Sequence, residues 1–410
     1  MAYRTDIDKP QRRWLKWTGV AALMVFFAYG SAFVRILFLD FPGASASSPK
    51  ATPPVLEVPP VFDAGPKPDG GSLDAGPAPI PLPVRVALHV HTSVSDGRGT
   101  VRDIAEAARA TKTDVVWLTD HDVTEGDDRV ENGVLFLHGA EQTTKFGHLL
   151  VFGADRLLTK AERYSDPLSA ARSVHGLAGP AHGDRTSYVG WANSGQFDAL
   201  EIYNLATDAI RAASFPWTGI AWAALAYPAN ALYALSSIME SPDELLRRWD
   251  GASVDRDVVG FCGTDAHGIP SYAVALGAVT NYFFVDAPLT GDVSKDRDQL
   301  RAALRAGRLI CALEVFGDAR GVTVFAVGGT GRVEVGGTAH RPATLHVRGG
   351  GANVAGTILR DGEVVHRFDG DTAYRALDKG RYRVELSRRV PTFWGSRVAP
   401  WVFANPITVR

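Results

Sequence analysis

Between residues 84 and 267, short apolar runs end one after another in a histidine or a carboxylate. Runs of strand length and composition cover 84–91, 114–119, 134–140, 148–153, 177–181, 198–203 and 258–264. Amphipathic stretches at 101–110, 167–175 and 242–249 lie between several of them, and a last helix is expected over 295–306, stopped by Gly307. Strand–helix alternation of this kind predicts an α/β domain with a mostly parallel sheet or barrel. In such domains ligands bind at the C-terminal edge of the strands.

The first run reads Val84-Arg85-Val86-Ala87-Leu88-His89-Val90-His91. Its even positions are Val or Leu and predict one apolar face toward a helical layer; His89 and His91 then share the opposite face. Two imidazoles side by side at a strand end can grip one metal ion. Asp96 follows in a Ser-Asp-Gly loop able to turn back to the same edge. The next strands close at Asp120-His121-Asp122, at Gly139-Ala140-Glu141, at Ala181-His182 and at Thr264-Asp265-Ala266-His267, while Gly147-His148 opens another. Of the eleven histidines, His138, His175, His340, His346 and His366 stand outside this pattern and read as structural or surface residues.

Other chemistries find little support. No Gly-x-Ser-x-Gly elbow and no P-loop is present. Two cysteines, Cys262 and Cys311, are too few for a thiolate metal site; their pairing is conceivable only outside the cytoplasm. Forty-three Lys and Arg against forty-five Asp and Glu leave no basic excess, so no nucleic-acid partner is expected.

His89-x-His91, Ser95-Asp96-Gly97, Thr119-Asp120-His121, Gly139-x-Glu141 and Gly263-Thr264-Asp265-Ala266-His267 together resemble the PHP (polymerase and histidinol phosphatase) metallohydrolases over about 84–315. Gly147-His148, an apolar insertion and Pro400-Trp401…Asn405-Pro406 are similar to the carbaryl-hydrolase (CehA/McbA) branch. The resemblance implies a distorted seven-stranded β/α barrel with two or three divalent ions at its C-terminal face. It implies a first ion on His89, His91, Glu141 and Asp265, and a second on Glu141, His148 and His182. A third would use Asp96, His121 and His267. Asp120 is expected to orient a ligand imidazole, and with Glu141 and Asp265 completes the expected catalytic carboxylates. His182-Gly183 departs from the usual His-Pro. A donor set of imidazole and carboxylate suits zinc, manganese or iron. Paired ions of this kind activate water near neutral pH. Arg98, Lys145 and Arg185 lie close to ligands in sequence and could receive an anionic group.

The flanks differ in kind. Residues 1–40 form a basic tip followed by a charge-free run from Thr18 to Val34, with further apolar residues to Leu39. As a helix, 18–39 would extend roughly 33 Å, enough for a bilayer. The basic side predicts a cytoplasmic tip with everything after Asp40 outside; a signal peptide cleaved near Ala46 is the alternative. Residues 41–83 hold half of the twenty-four prolines and read as an extended tether. Short strand-like runs from 320 to 410, with Asp361-Gly362 between two of them, predict an antiparallel β-sandwich. Within the 84–319 domain, 212–239 carries no charge and reads as a buried helical insertion, an apolar lid or a second span.

These observations converge on a membrane-anchored, metal-dependent hydrolase acting on a small ester, foremost a phosphoester. A carboxyl- or carbamate-ester hydrolase and a metal-stiffened, non-catalytic binding protein are the competing readings.

Overall fold

The structure, a computed structural model, describes Gly30 and residues 82–410 apart from 184–189, 192–196, 214–217, 330, 352 and 393–394. Apart from Gly30, the expected anchor and almost all of the tether lie outside these residues. Among the described residues no helix is long and apolar enough to cross a membrane.

Ten strands carry the first region: β1 (Leu82–Val90), β2 (Val115–Leu118), β3 (Arg129–Glu131), β4 (Val134–Thr144), β5 (Gly147–Phe152), β6 (Leu177–Pro180), β7 (Ala199–Asn204), β8 (Val259–Ala266), β9 (Thr280–Val285) and β10 (Leu309–Ala312). Among the described residues the helices that accompany them include α1 (Val101–Ala110), α2 (Lys160–Ser165), α3 (Pro167–Ser173), α4 (Leu205–Ala213), α5 (Thr218–Ala226), α6 (Ala231–Ser236), α7 (Asp243–Ala252), α8 (Tyr272–Ala278) and α9 (Val293–Arg305). Helix α1 starts where Thr100 and Asp103 satisfy each other's backbone N–H in a capping box.

The ladders are mixed rather than mostly parallel. β1 runs parallel to β2 and β8, β2 to β4, and β7 to β8. β4, β5 and β6 are antiparallel to one another in turn. Between β6 and β7 the Asp198 N–H donates to the Ala178 carbonyl at 2.9 Å. This mixture places the loops after β1, β2, β6 and β8, the middle of β4 and the start of β5 on one edge. Antiparallel β5 therefore brings its first residues there, which is why His148 opens a strand whereas most of the other candidates close one.

The apolar faces are the reverse of the expectation for β1. Val84, Val86 and Leu88 do not face α1; they share a core with Trp117, Phe152 and Phe261 and with Leu300, Ala303 and Leu304 of α9. Ala87 and Val90 turn the other way, to Ile104, Ala105 and Ala108 of α1. The strands and α9 share this core, and burying a side chain such as Phe152 there contributes about 1.5–3 kcal/mol. Arg85 on the outer face is buried against Glu314, 3.4 Å away.

The described residues of 212–239 include the short helices α5 and α6 and the end of α4, none long enough to span a membrane. Tyr233, Leu235 and Met239 are buried, and the Met239 carbonyl accepts from Arg397 Nη2 at 3.1 Å. The insertion thus packs against the C-terminal region.

That region is less separate than the sequence suggests. Its strands are β11 (Thr323–Gly328), β12 (Gly331–Glu334), β13 (Thr338–Ala339), β14 (Ala343–Arg348), β15 (Val354–Arg360), β16 (Glu363–Asp369), β17 (Thr372–Ala376), β18 (Gly380–Thr392), β19 (Gly395–Ala404) and β20 (Ile407–Val409). β12, β11, β14 and β17 form a small sheet, but β19 pairs antiparallel with β10 and extends the large one. Asn405 fixes this junction: its side chain accepts from the Gly260 N–H at 2.9 Å and donates to the carbonyls of Gly260 and Leu309. Cys262 of β8 and Cys311 of β10, both fully buried, form a disulfide that ties the same strands, with Cα atoms 5.5 Å apart.

Candidate metal centre

The strand edge described above gathers six imidazoles and three carboxylates. His89 would point away from the site if β1 alternated strictly. It does not, because Leu88 and Val90 pair with the consecutive residues Trp117 and Leu118 of β2, leaving His89 as an extra residue. His89 has φ of 60°, in the left-handed region. His182 (51°) and Asp265 (49°) share that conformation, which costs a non-glycine residue about 1–3 kcal/mol. Three candidate ligands thus sit on backbone that only surrounding structure can hold in place.

Glu141, on β4, is the hub. Its Oε2 lies 2.8 Å from His89 Nε2, 3.2 Å from His91 Nε2 and 3.7 Å from His121 Nδ1. Its Oε1 lies 2.7 Å from His148 Nδ1 and 3.3 Å from His182 Nε2. Asp265 Oδ1 is 3.3 Å from the Nε2 atoms of both His89 and His91. Asp96 reaches His267 Nε2 at 3.2 Å and His121 Nε2 at 3.5 Å.

Three donor groups of metal-binding size result: His89, His91, Glu141 and Asp265; His91, Asp96, His121 and His267; and His121, Glu141 and His148. All nine expected ligands converge. The first group holds the residues expected for the first ion, and the second holds those expected for the third ion together with His91. In the third, His121 joins Glu141 and His148, while His182 approaches the same Glu141 oxygen from beside it.

The field of the site favours cations. Burial would raise the Glu141 carboxyl, but the facing His89 and hydrogen bonds from His148, His182 and His89 outweigh it and hold it well below the usual range. Burial likewise opposes charge on His89, yet Glu201, Asp265 and Glu141 raise it well above an ordinary imidazole. His91 and His148 are raised too, His91 by Asp265 and Glu141 against burial, His148 chiefly by its bond to Glu141. Both ring nitrogens of His91 are buried without a properly aligned hydrogen-bond partner. A buried imidazole with two unsatisfied nitrogens, among carboxylates too close to share protons with every neighbour, fits divalent cations.

Several supporting residues differ from expectation. Asp120 touches no imidazole; it accepts from the Thr92 N–H (2.8 Å), the Thr92 hydroxyl (2.9 Å) and the Ser95 hydroxyl (2.5 Å), so it holds the loop that carries Asp96. Gly97 completes that loop because a Cβ there would sit 2.4 Å from the His91 carbonyl oxygen. Lys145 turns away and donates to the Ser165 carbonyl at 2.6 Å. Arg98 is exposed beside the site, its N–H bonded to the His267 carbonyl at 3.0 Å. Arg185 lies outside the described residues.

Sequence reading missed Glu201, fully buried on β7. One oxygen is 2.6 Å from His89 Nδ1, and the other accepts the His182 N–H at 2.7 Å. Gly263 makes room for it, since a Cβ there would meet Glu201 Oε1 at 1.8 Å. The signal was present: a lone carboxylate in the otherwise uncharged run Ala199-Leu200-Glu201-Ile202-Tyr203. Tyr272, equally unforeseen, donates its hydroxyl to the His91 carbonyl at 2.8 Å.

No family model matches the chain, and no curated protein sequence does. Solved structures similar to it include a two-domain protein containing a predicted PHP-like metal-dependent phosphoesterase from Bacteroides vulgatus. It is 12% identical, with 80% of this chain and 99% of that one covered, at a TM-score of 0.37. An amidohydrolase from Chromobacterium violaceum is 13% identical over 44% of this chain and 87% of its own, at 0.28. A provisionally assigned metal-dependent phosphoesterase from Bifidobacterium adolescentis is 16% identical over 46% and 89%, at 0.27. Similarity at this level assigns neither family nor activity, so function must be read from the side chains.

Proposed function

We propose that the chain is a PHP-type, metal-dependent hydrolase of small phosphoesters, with Glu141 shared between two divalent cations. The supporting observation is the division of Glu141: Oε2 faces His89 and His91, whereas Oε1 faces His148 and His182. Zinc, manganese and iron all suit the donors. When bound, such cations supply hydroxide near neutral pH and offset charge on the substrate's oxygens.

The chain's own residues do the rest. His89, His91 and Asp265 hold the deep end of the site, where all three are buried. Burial lowers His121 and, with the repulsion of His91 and His148, outweighs the pull of Glu141 and Asp96. Asp96 and His148 are the solvent side, with side chains 54% and 38% exposed, so a substrate enters there. A phosphoryl group suits this opening because several of its oxygens could reach cations held by the three donor groups, with Arg98 exposed close by. The basic tip and apolar run of residues 1–40 favour a tether, and the Cys262–Cys311 disulfide accords with an oxidising compartment.

The test is metal-stripped protein reloaded with zinc, manganese or iron and offered phosphate monoesters, phosphate diesters, aryl esters and aryl carbamates. Metal-dependent turnover of phosphoesters is expected. Turnover confined to carboxyl or carbamate esters would replace the substrate assignment, and metal binding without any turnover would favour a binding protein.

A further inference from the structure

Asp96 has the most exposed side chain of the nine candidate ligands and stands on a turn between β1 and α1, not on a strand. Two clamps hold that turn. Asp120 grips its front through Thr92 and Ser95. The rear is gripped from the opposite side by α8 and the residues before it. There the Tyr272 hydroxyl accepts the Gly99 N–H at 3.1 Å and donates to the His91 carbonyl at 2.8 Å. Beside it the Arg98 N–H donates to the His267 carbonyl at 3.0 Å, and the Ser93 N–H closes the turn on the Gly99 carbonyl at 2.8 Å.

One hydroxyl therefore joins three chain segments: the end of β1 with His91, the turn with Asp96, and the start of α8 just beyond His267. These segments supply three of the four donors in the group His91, Asp96, His121 and His267. The sequence makes a seat for the ring. A Cβ at Gly99 would stand 2.5 Å from Tyr272 Cε2, and one at Gly268 would stand 3.2 Å from the same atom. Gly268 also has φ of 91°, a conformation that glycine adopts without steric cost. Tyr272 is buried, so its hydroxyl bonds are made within the protein. Removing that hydroxyl leaves the Gly99 N–H and the His91 carbonyl without this partner while the ring still fills its seat.

We propose that Tyr272 is a positioning residue for a cation held by His91, Asp96, His121 and His267: it sets Asp96 against His267 and His91 without itself being a ligand. The inference rests on the metal-dependent reading above and names a residue that governs one ion of that centre. It also separates Tyr272 from Glu201, whose bonds go to His89 and to the backbone of His182. The two residues act on different donor groups.

Chelator competition on the zinc-loaded full chain, with zinc per chain counted by elemental analysis, tests this. In Tyr272→Phe one ion should bind about 10–100-fold more weakly, the loss typical of a removed supporting partner, and the others as in wild type. Asp96→Ala should weaken the same ion, and adding Tyr272→Phe to it should change zinc binding little further. Gly99→Ala, which crowds the ring from the side of the turn, should reproduce Tyr272→Phe and guards against a single variant that folds poorly. If every ion keeps its affinity in Tyr272→Phe, whatever the stability of the metal-free chain, the residue is structural only and the proposal is overturned. An equal weakening of all ions would overturn it as well. A wild-type chain whose ions are all indifferent to Asp96→Ala would overturn it and leave the centre shared by Glu141 standing. A wild-type chain that binds no zinc, manganese or iron would overturn both.

Discussion

His89 Nδ1 lies 2.6 Å from Glu201 Oε1, and both side chains are fully buried. This contact fixes which imidazole nitrogen is left for a metal, because the carboxylate accepts the hydrogen bond from Nδ1–H and leaves Nε2 facing Glu141 and Asp265. The second oxygen of Glu201 holds the backbone of His182, so one residue positions ligands on both sides of Glu141. Glu201→Gln cannot accept from both His89 and the His182 N–H in the same way. Competition with a chromophoric chelator should show metal affinity reduced about 10–100-fold. Glu201→Asp should recover part of it. Wild-type affinity in Glu201→Gln would remove Glu201 from this role.

Asp208 gives a pH signature away from the metals. Burial pushes its carboxyl up to about 6, only partly offset by Arg211 and by the Tyr203 hydroxyl 2.7 Å away. The folded state therefore holds a proton between roughly pH 4 and 6 that the unfolded chain, with an ordinary Asp near 3.9, releases. Stability from this group is complete below about pH 4 and is lost as the pH rises through 6, a fall on the order of 3 kcal/mol. Denaturant unfolding across this range should show that slope in wild type and a flatter curve in Asp208→Asn. Identical slopes would mean that Asp208 is not the source.

Asn405 tests the union of the two regions. Its side chain makes three hydrogen bonds to Gly260 and Leu309, and it is buried. Asn405→Ala leaves those backbone groups unsatisfied, at a cost of about 1–3 kcal/mol each where no water replaces the amide. Chemical denaturation should report one cooperative transition at lower denaturant, not the loss of a C-terminal domain alone. Two separated transitions would show that the sheet shared by β10 and β19 does not couple them.

The sequence carries the site more clearly than the fold around it. His89, His91, Asp96, His121, Glu141, His148, His182, Asp265 and His267 are all legible in the sequence, most of them at or near the ends of apolar runs, because chemistry there demands polar residues where neighbours are apolar. Their exact grouping cannot, since the bulge at His89 and the antiparallel turn into β5 depend on pairing between distant strands. The inward face of Val84, Val86 and Leu88 is hidden for a related reason: alternation reveals two faces but not which one the strands enclose. Cys262 and Cys311, separated by 49 positions, meet only because β9 brings β10 beside the first strands. Asp120 is a case of right place and wrong partner; its neighbours are set by the turn at Thr92, which no spacing rule fixes.

Metal content of Glu141→Gln, set beside His182→Ala and Asp96→Ala, tests the shared carboxylate most directly. Glu141→Gln removes the charge facing five imidazoles and leaves an amide that bridges poorly, so it should lose the most metal and all hydrolysis. His182→Ala should retain about one ion fewer than wild type and lose most activity, because one cation cannot both activate water and steady the leaving side. Asp96→Ala should weaken only the group with His121 and His267. Full metal content and turnover in Glu141→Gln would contradict the shared-carboxylate centre and the hydrolytic reading built on it.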